Sequence, residues 1–473
     1  VPAPPADSAA VRRLNLSRAL RRLADHGPGS RSEVSAATGL AHGSLTALTA
    51  DLIDRGLVRE AGLAPAGGRG RPRRTLELVP GRVLTLAVRI TRERLQVAAA
   101  DLAGEAVYRA SLPHRTPHGD PLPLARAVAD ALREARAAAL AVPGAHLWGA
   151  VMAMPGPVHE HDGHGPDGVG GARAFSTDFG WRGPVDLAGL VRAELRHGGP
   201  DSGPGGHVGP GSGLDGGPGG GPDGGAADAP DGPEVGAAEL PLVLVNDANL
   251  AALAEYRALA RRRTVPPRSL AYLKADIGVG GGLVLDGRIH TGGHGVAGEP
   301  GHMPVALDGP PCACGGRGCL ALYVGPEALT DAAGLAGLRA VEGTDAALSA
   351  LGNALEAGER RALDALDAAG EVLGAAVLAV TSLLDADEVV LGGYLADWHP
   401  WLRRGLEARL SGRRAFADRL VPEPVPGALG ADAALAGALT YGRDAVLDDP
   451  AAVPVLGTAP GTVLPARGTA ADG

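Results

Sequence analysis

Apolar residues in the first eighty positions recur at helical spacing in three short runs. Leu14, Leu20 and Leu23 give the first run an apolar stripe. SRSEVSAATGL follows, with Ser32 as a candidate N-cap and Gly39 as a stop. AHGSLTALTADLIDRGLV then places Leu45, Leu48, Leu52 and Ile53 on one face of a helix over 42–55. Two helices around a Thr-Gly-Leu turn read as a helix-turn-helix. The pattern next switches to strand, loop, strand in LVREAGLAPAGGRGRPRRTLELVPG, which reads as a winged hairpin.

From Gly81 the pattern is that of an α/β unit. VLTLAVRITRERLQVAAADLAG predicts a β-hairpin, 122–142 a helix, LWGAVMAMPGPV a buried strand, 241–246 a strand and 248–260 a helix. LAYLKADIGVGGGLVLDGRI predicts a second hairpin with glycine-rich turns. Residues 198–233 have almost no large apolar side chain, which predicts a disordered insertion with no chemistry of its own. The expected organisation is a disordered start over 1–10, a DNA-binding domain over 11–80, the α/β body over 81–447 and a disordered tail over 448–473.

Length and composition narrow this only a little. At 473 residues the chain is too long for one core. Aromatic residues are 3% of it, so the cores must be built from Leu, Val and Ala. The net charge of −9 excludes a chain that is basic throughout, but residues 1–80 carry 12 Arg against 7 acidic residues. That local charge of +5 leaves −14 for the remainder, so a basic segment is joined to an acidic body, as in a nucleic-acid-binding unit attached to something else. Lys274 is the only lysine. No apolar run approaches the ~20 residues that cross a bilayer, and VPAPPADSAA lacks a secretory pattern, so no membrane partner and a cytoplasmic location are expected.

The three cysteines all fall within GHMPVALDGPPCACGGRGC, Gly301 to Cys319. Cys312, Cys314 and Cys319 with His302 upstream make a donor set of three thiolates and one imidazole, a standard tetrahedral Zn2+ set. Soft thiolates select zinc over magnesium or calcium. Gly315, Gly316 and Gly318 let the backbone turn tightly enough for the sulfurs to converge. With no ligand position open to water the expected Zn2+ is structural; the alternative is three unremarkable reduced thiols.

GVAGEPGHMPVALDGPPCACGGRGC, with AMPGPV, VNDANLAALAEY, DGRIHTGGHGVAGEPGHMPV and ADEVVLGGYLADW in order, resembles the ROK family of repressors, open reading frames and kinases. With the N-terminal helices, the chain is most similar to the repressor members. The resemblance implies an N-terminal winged helix-turn-helix followed by a two-lobed, actin-like ATPase body of sugar-kinase type, dimeric or tetrameric. It also implies a sugar in the interlobe cleft, held by Asn246, Asp247, Glu299 and the zinc-bound His302. Such residues suit hydroxyls that both donate and accept. Metal ligation through one imidazole nitrogen would orient the other toward the sugar. Helix capping is the competing role for Asp247 and Asn249. The chain departs from the family at Ala321, where a sugar-contacting Glu is usual, and at Asp178, where relatives have Asn. Loss of one charge-assisted hydrogen bond costs about 1.5–3 kcal/mol.

Asp247 would be the general base of a kinase member. The phosphate loops are altered, however. Arg89, Thr91 and Glu93 stand where the family has Asp-x-Gly-x-Thr, and Asp276 and Ile277 interrupt the second loop. No catalytic residue is therefore assigned, and the expected protein is not an enzyme. At the DNA end, the candidate contacts are His42, Ser44, Thr46 and Thr49 on the recognition helix and Arg69, Arg71, Arg73 and Arg74 in the wing. The wing contains Arg-Gly-Arg-Pro, which resembles an AT-hook core suited to a narrow minor groove. The expected partners are a double-stranded DNA operator and a sugar effector. Two rivals remain: a regulator with a decayed sugar site and an active sugar kinase.

Overall fold

The structure is a computed structural model that describes residues 8–63, 74–161, 171–197, 240–416 and 421–457. The chain opens with α1 (Ser8–His26), β1 (Gly29–Ser30), α2 (Arg31–Thr38), α3 (His42–Asp54), β2 (Val58–Leu63) and β3 (Arg74–Leu78). β3 lies between β1 and β2, antiparallel to both. Leu16, Leu20 and Leu23 are the buried stripe of α1. Leu14, expected there, is 51% exposed, because spacing of four and three from Leu16 leaves it off that face. The N-cap of α2 is Ser30 rather than Ser32. Its hydroxyl accepts from the Glu33 amide while the Glu33 carboxylate accepts from the Ser30 amide, a reciprocal capping box. Gly39 ends α2 in the left-handed region at φ 72, where a side chain would be strained.

Two five-stranded sheets follow, with the same topology. The first is built from β4 (Val83–Ile90), β5 (Arg94–Asp101), β6 (Ala106–Pro113), then α4 (Leu122–Leu140) and β7 (His146–Met154). A side ribbon, β8 (Val158–His161) with β9 (Gly171–Ala174), and α5 (Leu187–His197) lead to β10 (Leu242–Asn246), which completes the order β10-β7-β4-β5-β6. After α6 (Asp247–Arg262) the second sheet begins with β11 (Ser269–Ala275), β12 (Val279–Leu285) and β13 (Arg288–Ile289). The helices α7 (Ala321–Val324), α8 (Pro326–Ala332), α9 (Ala336–Glu342), α10 (Thr344–Glu356) and α11 (Arg360–Leu384) precede β14 (Glu388–Gly393). α12 (Tyr394–Asp397), α13 (His399–Phe416), β15 (Val425–Pro426) and α14 (Ala433–Asp448) finish the fold, with sheet order β13-β12-β11-β14-β15. In each sheet an antiparallel three-stranded meander is extended by two parallel strands. The α/β class is as expected.

α11 is long and apolar enough by composition to cross a membrane. Its small residues instead receive α13: a Cβ on Gly370 would lie 2.3 Å from the Leu402 carbonyl oxygen. α6 and α14 cross as closely. A Cβ on Gly437 would lie 1.9 Å from the Leu250 carbonyl oxygen, so α14 is bound to the helix that begins at Asp247.

The domain boundaries differ from expectation at both ends. α1 begins at Ser8, inside the segment expected to be disordered. The tail, expected to lack structure from 448, is built into the protein over residues 448–457. Arg55 donates to the carbonyls of Ala451 (2.7 Å) and Val453 (2.5 Å), and the Leu456 amide donates to Asp54. Val446, Leu447 and Val453 share one core with Leu16, Leu20, Leu45, Leu52 and Leu76, joined by Val83 and Trp148. Apolar burial there includes both ends of the chain, which the local sequence does not signal. The expected insertion at 198–233 lies outside the described residues.

Candidate functional site

The carboxyl ends of the parallel strands of both sheets converge at the N-terminus of α6, the usual position for a ligand site in α/β proteins. Asn246 ends β10 and caps α6. Its side-chain oxygen accepts from the Asn249 amide at 2.9 Å, and its amide nitrogen donates to the Gly156 carbonyl at 2.9 Å. The capping role weighed for Asp247 and Asn249 therefore belongs to Asn246, and Asp247 is the first residue of the helix. Asp247 is buried, with a carboxylate oxygen 2.7 Å from Lys274 Nζ, which is also 3.3 Å from Asp276. Burial pushes Asp247 up, but the charge and hydrogen bond of Lys274, with Arg89 beyond, outweigh it and hold the carboxyl below its ordinary value. Lys274 is raised: burial disfavours its charge, and Asp247 and Asp276 more than restore it.

This pair is not foreseen by any motif, although the lone lysine is a signal. Where every other permanently charged base is arginine, a buried lysine indicates a space that takes a compact ammonium and not a guanidinium. Arg89, in the first altered phosphate loop, donates to Gln96 at 3.0 Å and to the Ala431 carbonyl at 2.8 Å, tying β4 to the entry of α14.

Glu299 precedes, and His302 ends, a single 3-10 turn at Pro300–His302. Gly301 lets that turn lie against β12, since a Cβ there would sit 2.1 Å from the Val279 carbonyl oxygen. Burial, then the charge of Asp247, pushes Glu299 up to about 7. Asp178 is likewise raised, by burial first and Asp247 second, against the lowering charges of Arg92 and Lys274. Folded protein keeps a proton on Glu299 that the unfolded chain, with its value near 4.5, releases, so this group's contribution falls as pH rises from about 4.5 to about 7. Asp247 acts oppositely: its contribution is present above the ordinary carboxylate range and is lost as pH falls through its depressed value. Glu299→Gln is expected to flatten the urea midpoint against pH between about 4.5 and about 7; an unchanged profile would remove Glu299 as its source.

His302, Cys312, Cys314 and Cys319 converge, their ligand atoms all within 4.8 Å of one another, and can hold a metal ion. His302 Nδ1 lies 3.8 Å from the Cys312 sulfur, and the Cys314 and Cys319 sulfurs are 3.6 Å apart. The loop is shaped by its glycines. Gly318 (φ 61) passes so close to Ala306 that a Cβ would stand 1.7 Å from its carbonyl oxygen, and the Gly316 amide points at the Cys314 sulfur at 3.4 Å. Burial and the neighbouring Cys314 and Cys312 thiols push Cys319 up to about 12. The Gly316 amide, and then the hydrogen bonds of Cys312 and Cys319, hold Cys314 below the ordinary thiol value, so a thiolate is favoured there beside a protonated Cys319, and a bound cation would favour the ionised form at both.

At the other end, α3 exposes His42, Ser44 and Thr46. Thr49, expected among them, is 1% exposed. Its hydroxyl donates to the Thr46 carbonyl and receives Arg31, because it falls on the same helical face as Leu45 and Leu52. Arg74 is exposed and paired with Glu60 across the β2–β3 ribbon. Arg69, Arg71 and Arg73 lie outside the described residues.

A model of the ROK family matches residues 236–444. The chain is 36% identical over 156 residues to the N-acetylmannosamine kinase of Citrobacter koseri, covering 33% of this chain and 50% of that protein. It is 36% identical over 203 residues to the kanosamine kinase of Amycolatopsis mediterranei, covering 42% of this chain and 62% of the relative. The chain thus spans about half, and in the second case under two thirds, of the length of these relatives. Among solved structures it is similar to a ROK family transcriptional regulator, a homologue of the E. coli Mlc protein, at TM-score 0.67 and 21% identity over 93% of this chain and 97% of that one. It is also similar to the ROK hexokinase of Thermus thermophilus, at TM-score 0.52 and 25% identity over 76% and 97%. At 21% identity the first likeness speaks to fold. Together with the duplicated sheets and the loop of Cys312–Cys319, these matches show that the chain carries a ROK family domain at residues 236–444, set in a sugar-kinase-like body.

Proposed function

We propose that this chain is a sugar-responsive, DNA-binding transcriptional regulator, a cytoplasmic repressor of carbohydrate uptake or metabolism genes. The observation that carries the reading is the construction of the N-terminal unit. Three helices and a β-ribbon are fused to the body through one shared core. In this reading the unit is a winged helix-turn-helix. α3 offers His42, Ser44 and Thr46 to base edges and phosphates of an operator, and the wing offers Arg69, Arg71, Arg73 and Arg74. The protein would act as a homodimer or homotetramer, so that two units meet two half-sites.

The effector would occupy the site at the start of α6. Asp247, Glu299, the second amide hydrogen of Asn246 and His302 Nε2 read its hydroxyls. The four-residue cluster is read as a structural Zn2+ site. Tetrahedral zinc with Zn–S near 2.3 Å requires sulfur–sulfur edges of about 3.8 Å and sulfur–nitrogen edges of about 3.6 Å. The 3.6 Å and 3.8 Å separations found here fit that size. Bound zinc would supply a rigid, charge-neutralising centre for the loop. The chain's own contribution is to present His302 with Nδ1 turned to the sulfurs and Nε2 outward.

The kinase relatives favour a second reading, that of an enzyme, and Asp247 stands where its base would be. Two features argue against it. The Asp247 carboxylate is already engaged by Lys274, and Arg89 fills the position where the family pattern has its phosphate-loop Asp. A regulator with a decayed sugar site is the third reading, motivated by Ala321 and Asp178.

Ligand in the cleft would shift the balance between two arrangements of the lobes, and the shift would reach the DNA-binding unit through α6 and α14. Fluorescence anisotropy on the chain's own upstream DNA, with and without a panel of sugars, tests all three readings. A sugar that changes the DNA affinity tenfold or more, an effect abolished in Asp247→Ala while basal DNA binding persists, supports the regulator. DNA binding indifferent to every sugar supports the decayed site. ATP-dependent phosphorylation of any hexose in a parallel assay supports the enzyme. Neutralising Arg71, Arg73 and Arg74 together is expected to reduce the slope of log affinity against log salt by about 2–3, since each phosphate a cation neutralises adds about 0.9 to that slope. An unchanged slope would remove the wing from the DNA interface.

A further inference from the structure

We propose that Lys274 reads the ligand of the site at the start of α6 and sets its charge class: it donates to a hydroxyl that Asp247 also holds, and it turns away a sugar that carries an ammonium group. This rests on the reading of that site as a sugar site and adds a residue to it that the sequence motifs do not name.

Lys274 is the penultimate residue of β11. Its two neighbours across the sheet are both glycines, Gly280 on β12 and Gly392 on β14. The β14 side is closed. A Cβ on Gly392 would stand 1.8 Å from the Tyr272 hydroxyl oxygen, so Tyr272 fills that space. The β12 side is open. Gly280 is not in the left-handed region, and a Cβ there would make only ordinary contacts, 3.6 Å from the Ala248 methyl carbon and 3.9 Å from Lys274 Cε. Neither the backbone nor the packing therefore calls for a glycine at 280. A larger side chain would occupy the space between Lys274 and the first turn of α6, and the glycine keeps that space free.

The ammonium has three hydrogens to donate. Asp247 Oδ2 takes one at 2.7 Å and Asp276 Oδ2 another at 3.3 Å, and the third has no partner among the described residues. Asp247 Oδ1 likewise has no side-chain partner among them. The side chains of Lys274 and Asp247 are only 12% and 9% exposed, so a donor and an acceptor are held side by side with little access to bulk water. Unmet polar groups in such a place cost energy that a ligand can recover. A sugar hydroxyl meets both at once: its oxygen accepts from Nζ and its hydrogen goes to Oδ1. An ammonium group has no lone pair for Nζ and brings a second positive charge against the first. The pair of Asp247 and Asp276 already has its cation, built into the chain.

Two measurements on the full chain test this. Lys274 is the only lysine, so protein labelled with [ε-15N]lysine gives one side-chain ammonium resonance that reports this atom alone. Isothermal titration with a panel of hexoses and their amino-deoxy counterparts is run on the wild type and on Lys274→Met, which removes the charge and keeps an unbranched stem. The expected wild type binds one hexose at least tenfold tighter than its amino counterparts, and saturation with that hexose moves the ammonium resonance. In Lys274→Met the hexose should bind at least tenfold more weakly and the preference should invert, because the amine of the ligand then supplies the cation that the two aspartates lack. A lost fold would weaken every sugar alike, so the inversion separates a reading role from a structural one; if urea melts show that Lys274→Met does not fold, the resonance alone decides. A hexose that binds and leaves the resonance in place, or a folded Lys274→Met that keeps the wild-type preference, would overturn the proposal and leave the sugar reading intact. If no sugar binds the wild type, the sugar reading fails and the role of Lys274 falls with it.

Discussion

Asp444→Ala destabilises the protein by about 3–5 kcal/mol, the cost of leaving buried charges without their partner. Asp444, on α14, is 3% exposed and stands between two arginines. One oxygen is 2.9 Å from Arg21 of α1, and the other is 2.6 Å from Arg257 of α6. Burial pushes the Asp444 carboxyl up, yet Arg257 and Arg21 together hold it below its ordinary value. Arg21 reaches further to Asp448 at 2.5 Å, Arg443 reaches Asp25 of α1 at 2.8 Å, and Arg257 also donates to the Gly287 carbonyl at 3.0 Å. The three helices thus meet at one carboxylate. Urea denaturation of Asp444→Ala measures the cost; a loss under about 1 kcal/mol would mean that solvent screens the network as it does an exposed pair. Asp444→Asn keeps the shape and half the hydrogen bonds and should lose less. Because α6 starts at Asp247 and α1 belongs to the N-terminal unit, both variants should also reduce the effect of any effector on DNA affinity more than they reduce DNA affinity itself. The opposite pattern would make the network a structural clasp only.

The second large effect concerns the cysteine loop. Purified chain is expected to carry one zinc per polypeptide, and Cys319→Ser to weaken metal binding on the order of 100-fold. That is about a quarter of the ~10–16 kcal/mol by which four such ligands hold structural zinc in small domains. Metal analysis after dialysis, and thermal melts with and without chelator, read the outcome. The loop is self-contained. The Val305 amide donates to the Gly318 carbonyl, and Pro304 pairs with Cys319 in a short antiparallel bridge. Metal loss should therefore disorder the region of His302 while the two sheets persist, and a ligand of the cleft should bind more weakly to the metal-free chain. Zinc-free protein with an unchanged melting temperature would overturn the metal reading.

Several parts of this are legible before any fold is known, each for a physical reason. The cysteine cluster is legible because metal ligation demands rare residue types close in sequence, and His302 with three cysteines comes together as expected. Both hairpins and the helix after Asn246 are legible because alternation and helical spacing are local patterns. The position of the N-cap is not. Ser30 and Ser32 are chemically equal, and the choice depends on which of them reaches the Glu33 amide. Thr49 misleads for a related reason. A polar side chain on a helix reads as solvent-facing, yet Thr49 shares its face with Leu45 and Leu52 and is covered by Arg31.

The sequence by itself determined the α/β class, the run of short helices at the start, the donor set of the cysteine loop and the loss of both phosphate-loop patterns. All of these are written in contiguous residues. Only the tertiary structure decided what joins them. The salt bridge of Lys274 to Asp247, the pairing of Arg21 with Asp444 across 423 positions, and the packing of residues 448–457 beneath the N-terminal helices are contacts between distant segments. No periodicity or motif signals them, because a charged or apolar residue in a sequence names the kind of partner it needs and not where the chain will bring one.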